Sequence, residues 1–305
     1  MSILITGATG LIGGEIVKEC HRNNMDVHYL TTSKNKIQST PNFKGYYWNP
    51  DQNEIDLKCF ENVTAIINLA GATISKRWTA DYKKTILSSR VNSLRTLNNG
   101  LKKVDSSSVK SFVSASATGI YPDSITNFYE EDVAYPVKGF LAEVVADWEQ
   151  EANTFHSFNF SVAKIRIGLV MSDKGGALPE MVKPIKLYAG APFGSGQQWQ
   201  SWIHINDLAR IFIFAVTQEL NGVYNAVASN PVTNEKLTKK VAEVLAKKVI
   251  IPNIPAFVLN LILGEMSNLL LNSQRVSNKK ILEEGFVFEY QNVGNALTSL
   301  YGKQD

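Results

Sequence analysis

Residues 2–14 constrain this chain more than any other stretch. They read Ser-Ile-Leu-Ile-Thr-Gly-Ala-Thr-Gly-Leu-Ile-Gly-Gly. Ile3, Leu4 and Ile5 form a short apolar run of strand type, and Thr6 to Gly10 turns the chain. Leu11, Ile12, Ile16, Val17 and Cys20 then recur at three- and four-residue spacing, which predicts a helix. A strand, a glycine turn and a helix in succession make the first half of a βαβ unit. Gly7 permits the tight turn. Gly10, lacking a Cβ, lets the backbone approach a pyrophosphate, and Gly13 lets the helix pack near the sheet. The free N–H groups and positive dipole end of that helix suit phosphate. The spacing is Gly-x-x-Gly-x-x-Gly rather than Gly-x-Gly-x-x-Gly. Gly7, Thr9, Gly10, Leu11 and Ile12 are accordingly candidate contacts for a dinucleotide.

The chain then alternates. Asp26–Thr31 predicts a second strand, whose end meets the adenosine ribose in this kind of unit. An acid there would favour NAD; Thr31, Thr32, Ser33, Lys34 and Lys36 instead suit a 2′-phosphate, so NADP is expected ahead of NAD. Phe43–Trp48 and Val63–Leu69 predict strands, the latter continuous and apolar as in a strand buried on both faces. Leu69, Ala70 and Gly71 close it and leave room for a cofactor. Asp81–Val104 predicts a long helix, Lys110–Ser114 a strand, Phe140–Ala152 a helix and Ser161–Val170 a strand. This alternation implies an α/β, Rossmann-type doubly wound parallel sheet. After Met171, glycines and prolines break every periodic run, so a loop-rich excursion is expected. Further on, Asn206 or Asp207 is expected to cap a helix Leu208–Val216, Gly222–Val227 reads as a strand, and a helix runs from about Glu235 to Lys247. The domains expected are a nucleotide-binding one, 1–170 with 203–228, and a smaller substrate lobe, 171–202 with 229–305.

Bulk properties narrow the class. A chain of 305 residues buries a sizeable core. The net charge of +3, with basic residues scattered among acids, argues against nucleic-acid binding. Cys20 and Cys59 lie in or beside apolar segments and read as buried thiols, fitting a reducing cytoplasm. No leader peptide is visible after Met1, and the most apolar segment, Phe257–Leu271, is broken by Asn260, Gly264, Glu265 and Asn268, too short and polar for a membrane span. No clustered ligand set marks a metal site.

Taken together, Thr6–Gly13, Asn68–Gly71, Arg90-Val91-Asn92, Ser114–Ala117, Arg166 and Trp202–Leu208 resemble the extended short-chain dehydrogenase/reductase superfamily. The pieces Ala70–Arg90, Phe140–Glu149, Gly194–His204 and Gly285–Phe288 resemble its sugar-epimerase-like branch, sometimes labelled a cell-division inhibitor family. The resemblance covers essentially the whole chain and implies a nicotinamide cofactor, a small-molecule substrate and a common tendency to dimerise. It also implies a Tyr-x-x-x-Lys pair in active members, where the Tyr, with a free pKa of about 10, is activated by the Lys and the cofactor ring.

Here the sequence departs. Phe140 stands where Tyr belongs and Val144 where Lys belongs. Ser116 (or Ser114) matches the superfamily's Ser and Asn92 its helix Asn; Ser114 also counts among the cofactor contacts. Tyr121, after the Ser loop, is the substitute proton donor with the best reach, alongside Lys138 and Glu143. Arg90 is placed to meet a cofactor phosphate or an anionic substrate, and Arg77, Trp199, Trp202 and His204 are candidate pocket walls. Arg166 ends a buried strand and needs a partner. Three functions are weighed: an NADP-dependent oxidoreductase or epimerase-like enzyme with a non-standard proton donor, an NADP(H)-binding sensor or scaffold without redox chemistry, and a standard nucleotide-sugar epimerase, which the missing Tyr and Lys weigh against.

Overall fold

The computed structural model describes residues 1–302. Its large sheet is built from β1 (Ser2–Thr6), β2 (Asp26–Thr31), β3 (Phe43–Asn49), β4 (Ala65–Asn68), β5 (Ser111–Ala117), β6 (Ser161–Ile167) and a later strand, Gly222–Ala226. Their spatial order is β3-β2-β1-β4-β5-β6 and then Gly222–Ala226, with the short strands Ser39–Thr40 and Glu54–Ile55 antiparallel against β3. β1 runs parallel to both β2 and β4, with Ile3 opposite Val27 on one side and Ala65 on the other. The order reverses direction between β1 and β4, the switch point at which doubly wound sheets hold ligands. Ile3, Leu4, Ile5, Ile66, Ile67, Phe112 and Val113 are wholly buried, as a sheet covered on both faces requires. Each such side chain contributes roughly 1.5–3 kcal/mol.

Three helices concern the site, and a fourth belongs to the second unit. α1 (Leu11–Arg22) follows β1 and buries Ile16 and Cys20. α2 (Ala80–Leu101) starts at Thr79, whose hydroxyl accepts the Tyr82 N–H at 3.2 Å, and buries Ile86, Leu94, Leu97 and Leu101. α3 (Phe140–Asn153) buries Val144, Val145 and Trp148. α4 (Ala177–Lys186) lies where the sequence predicts only loops. Its Leu178, Val182 and Ile185 recur on one buried face, and Pro179 falls in the first turn, where no intrahelical N–H is needed.

Ser161–Val170 does not continue as one strand. Gly168 separates β6 from β7 (Leu169–Met171), which pairs in parallel with β8 (Trp202–His204) in a sheet of its own. A Cβ at Gly168 would overlap the Ser201 carbonyl oxygen, so this exchange of sheets needs glycine. α5 (Ile205–Thr217) begins earlier than the capping residues predict. Asn206 and Asp207 therefore sit inside its first turn, and Asp207 accepts the N–H groups of Glu289 and Tyr290 at 2.9 Å each.

The described residues form two compact units, 1–120 with 138–166 and 209–224, and 121–137 with 167–208 and 225–302. The stretch 121–137, placed by sequence in the nucleotide-binding domain, thus groups with the second unit. Trp202, Met171, Leu178, Val182, Leu237, Val241 and Leu297 make up much of that unit's core. Among the described residues, no helix is long and apolar enough to cross a membrane.

Candidate functional site

The carboxyl ends of β1, β4 and β5 are tied together by side chains. The Thr6 hydroxyl donates to Asn68 Oδ1 at 2.7 Å and accepts the N–H groups of Leu69 and Ala70, at 3.0 Å each. Asn68 Nδ2 donates to Ser114 Oγ at 3.5 Å, and Ser114 donates to the Ala115 carbonyl. Thr6, Asn68 and Ser114 are all fully buried. The amides of Leu69 and Ala70, expected among the cofactor contacts, are thus spent on Thr6. These two residues and Ser114 shape the floor of the switch point from within.

Above this floor lies the glycine turn. Gly7 has φ +70°, a conformation that L side chains rarely adopt, and a Cβ there would press on Leu69. Gly10 is the N-cap of α1 and donates to the Gly7 carbonyl at 2.9 Å. A Cβ on Gly13 would overlap the same carbonyl oxygen, so the helix lies tight on the turn. No side chain caps α1 and no acid stands in its first turn. The first N–H groups of the helix, at Leu11 and Ile12 beside Thr9, therefore project free at its positive end.

At the end of β2, Thr31 turns its hydroxyl into its own loop, where it accepts the Ser33 N–H at 3.2 Å. Thr32 and Lys34 are exposed, and Lys34 and Lys36 share a short 3-10 turn. The Lys34 ammonium lies 5.0 Å from the centre of the Tyr47 ring.

After β4 the chain forms a loop clasped to α2. Ala72 N–H donates to Ser89 Oγ at 2.9 Å, Tyr82 Oη to the Thr73 carbonyl at 2.6 Å, and Arg90 Nη1 to the carbonyls of Ala72 and Ile86 at 3.3 and 2.8 Å. Arg77 is exposed on this loop. Phe140, where the resemblance leads one to expect a Tyr, meets the Trp78 ring edge-on at 5.1 Å and lies under the Lys83 ammonium at 5.0 Å. Val144, where the resemblance leads one to expect a Lys, is buried.

The remaining expected catalytic groups are committed elsewhere. Ser116 Oγ donates to Glu149 Oε1 at 2.6 Å, and Glu149 receives Arg166 through two bonds of 2.8 and 2.9 Å. Burial pushes the Glu149 carboxyl up, but Arg166, with Ser116 and Lys164, more than offsets this and holds it below the ordinary value. The partner that Arg166 requires is therefore Glu149. Asn92 donates to Asp51 on an exposed part of α2. Tyr121 is buried, donates to Asn225 Oδ1 at 2.8 Å and stacks on Tyr129 at 5.2 Å, so it serves the core of the second unit and offers no accessible phenol.

Trp202 and His204 are likewise core residues, not pocket walls. Trp202 is fully buried with its indole N–H on the Asn230 carbonyl. His204 Nδ1 accepts the Asn206 N–H, and its ring stacks on Tyr290 at 3.9 Å. Trp199 is half-buried, donates to the Ile125 carbonyl and lies under the Arg275 guanidinium at 4.8 Å. The conspicuous run from Gly194 to His204 therefore builds the second unit: Gln198 reaches the carbonyls of Phe193 and Leu270, and Ser201 that of Gln274.

The fold and its glycine turn define a doubly wound dinucleotide-type α/β protein. Comparison with known proteins sharpens this. Residues 3–226 match the model of the NAD dependent epimerase/dehydratase family, and residues 254–300 match a domain of unknown function, DUF1731. An epimerase family protein of Staphylococcus aureus is 36% identical over 304 residues, covering 98% of this chain and 99% of its own. One from Staphylococcus epidermidis is 35% identical over 303 residues, covering 97% and 98%. The crystal structure of the human epimerase family protein SDR39U1 with NADPH superposes with a TM-score of 0.86 at 27% identity, over 99% of both chains. The chain belongs to the NAD-dependent epimerase/dehydratase family.

Proposed function

We propose that this protein binds NADP(H) on its first unit and acts on a small molecule as an oxidoreductase or epimerase-like enzyme without the Tyr-x-x-x-Lys pair. The observation that carries the reading is the uncapped, acid-free N-terminus of α1 over a turn that needs glycine at Gly7 and Gly13. A diphosphate fits there, because the free N–H groups of Leu11 and Ile12 supply donors and Gly10 leaves room for its oxygens. The end of β2 offers Thr32, Ser33 and Lys34, with Lys36 on the same turn and no carboxylate, which suits a 2′-phosphate better than a free ribose hydroxyl. The NADPH held by the human relative is in keeping with this choice.

When bound, the nicotinamide supplies or accepts hydride. Thr6 and Asn68 fix the floor, and Gly71 packs on Arg90 just beyond β4. Proton movement falls to a group other than Phe140 and Val144.

One observation favours a second reading, an NADP(H)-binding sensor. The hydroxyls of Ser116 and Tyr121, the sequence's best proton-handling groups, both donate to protein acceptors. Calorimetric titration of the Gly10→Asp variant with NADPH tests the shared premise. Asp places bulk and negative charge against the diphosphate, so binding is expected to vanish in a folded variant. Undiminished affinity would displace the phosphates from this turn.

A further inference from the structure

Arg90 holds a charge that the described residues do not balance. Its guanidinium is mostly buried, and burial lowers its pKa to about 10, with the nearby Tyr82 opposing. Its hydrogen bonds, to the Ala72 and Ile86 carbonyls, both come from Nη1. No ion pair joins it to any carboxylate among the described residues. Nε and Nη2 thus retain donors, and an arginine taken out of water normally meets an anion.

Three further features mark the place as built. The guanidinium lies over the Trp148 ring at 5.0 Å, which fixes its plane. The indole N–H of that ring is buried and finds no acceptor among the described residues. Gly71 packs directly on the guanidinium: a Cβ there would come within 3.2 Å of Arg90 Cζ. Gly71 follows β4 on the rim of the switch point, so the unspent donors belong to the candidate cofactor edge.

We propose that Arg90, backed by Trp148 and approached past Gly71, is an oxyanion anchor separate from the α1 N-terminus, receiving a phosphate or carboxylate group of a bound ligand. This rests on the dinucleotide reading above. The shared chemistry has two sources, the cofactor's own diphosphate and an anionic group on the substrate. A planar fork with free donors takes two oxygens at once, which lysine does not.

The test uses the full chain as wild type, Arg90→Gln and Arg90→Lys, each checked for folding by circular dichroism. Calorimetry measures NADPH and 2′-AMP, the latter keeping the 2′-phosphate but carrying neither phosphate of the diphosphate bridge. Thermal unfolding with and without inorganic phosphate is followed on NADPH-loaded and unloaded protein. A tenfold or greater loss of NADPH affinity in R90Q, with 2′-AMP unchanged and partial recovery in R90K, assigns the anchor to the cofactor diphosphate. Unchanged NADPH affinity, with phosphate raising the Tm of loaded wild type but not of loaded R90Q, assigns it to a substrate anion. If R90Q matches wild type in both, the anchor is overturned while the cofactor reading stands. If wild type itself fails to bind NADPH, the cofactor reading falls, and a phosphate effect on the unloaded proteins decides the anchor alone.

Discussion

Thr6 shows how one hydroxyl organises a site. It is a donor to Asn68 and an acceptor for two backbone N–H groups that have no other partner at the sheet edge. Replacing it with valine keeps the shape and strands all three groups, at a cost of about 2 kcal/mol or more. Urea unfolding should show that loss for Thr6→Val and little change for Thr6→Ser. Glu149 makes a second residue-scale case. Its side chain and that of Arg166 are only 12% and 10% exposed. Glu149→Gln leaves a buried guanidinium with a weaker partner, for an expected loss of about 3–5 kcal/mol near neutral pH. The sign with pH follows from the lowered carboxyl: its contribution is complete above the ordinary carboxylate value and disappears as pH falls through the folded one. The gap between wild type and E149Q, measured by urea unfolding along a pH series, should therefore narrow in acid. A gap that widens in acid would contradict the ion-pair account.

At the scale of elements, the proposed preference for NADP rests on the 3-10 turn after β2. Lys34 and Lys36 sit on a turn without an acid, and Ser33 leads into it. The double variant Lys34→Ala, Lys36→Ala should lose more affinity for NADP than for NAD, by about tenfold, since a doubly charged 2′-phosphate is absent from NAD. Equal loss for both in paired titrations would remove the case for a 2′-phosphate. The long helix α3 carries a different message. Its first turn sets Phe140 against Trp78 and its second sends Val144 to the core, at the two positions where the resemblance leads one to expect Tyr and Lys.

Across the whole molecule, what the sequence makes legible is what neighbours in the chain decide. The β1–turn–α1 unit and the alternation of strand and helix are local, and both stand in the structure as read. Pairings between distant positions were hidden. Ser116 and Glu149 lie 33 residues apart, and only the demand of Arg166 for a carboxylate pointed toward such a partner. Trp202 and His204 could not be told from pocket walls, because an aromatic serves a core or a cleft equally well until its neighbours are known. Prolines concealed α4, since Pro179 and Pro184 break the pattern of a helix held by the face of Leu178, Val182 and Ile185. Glycine separated β6 from β7 for a reason invisible in sequence, the closeness of the Ser201 carbonyl.

The central claim is that the α1 turn and the turn after β2 together select a phosphorylated nicotinamide dinucleotide. Calorimetric titration of the wild-type chain with NADPH and, separately, NADH tests it most directly. The account predicts one NADPH per chain with affinity on the order of micromolar and distinctly weaker binding of NADH. Absence of heat with either dinucleotide, or tighter binding of NADH, would contradict it.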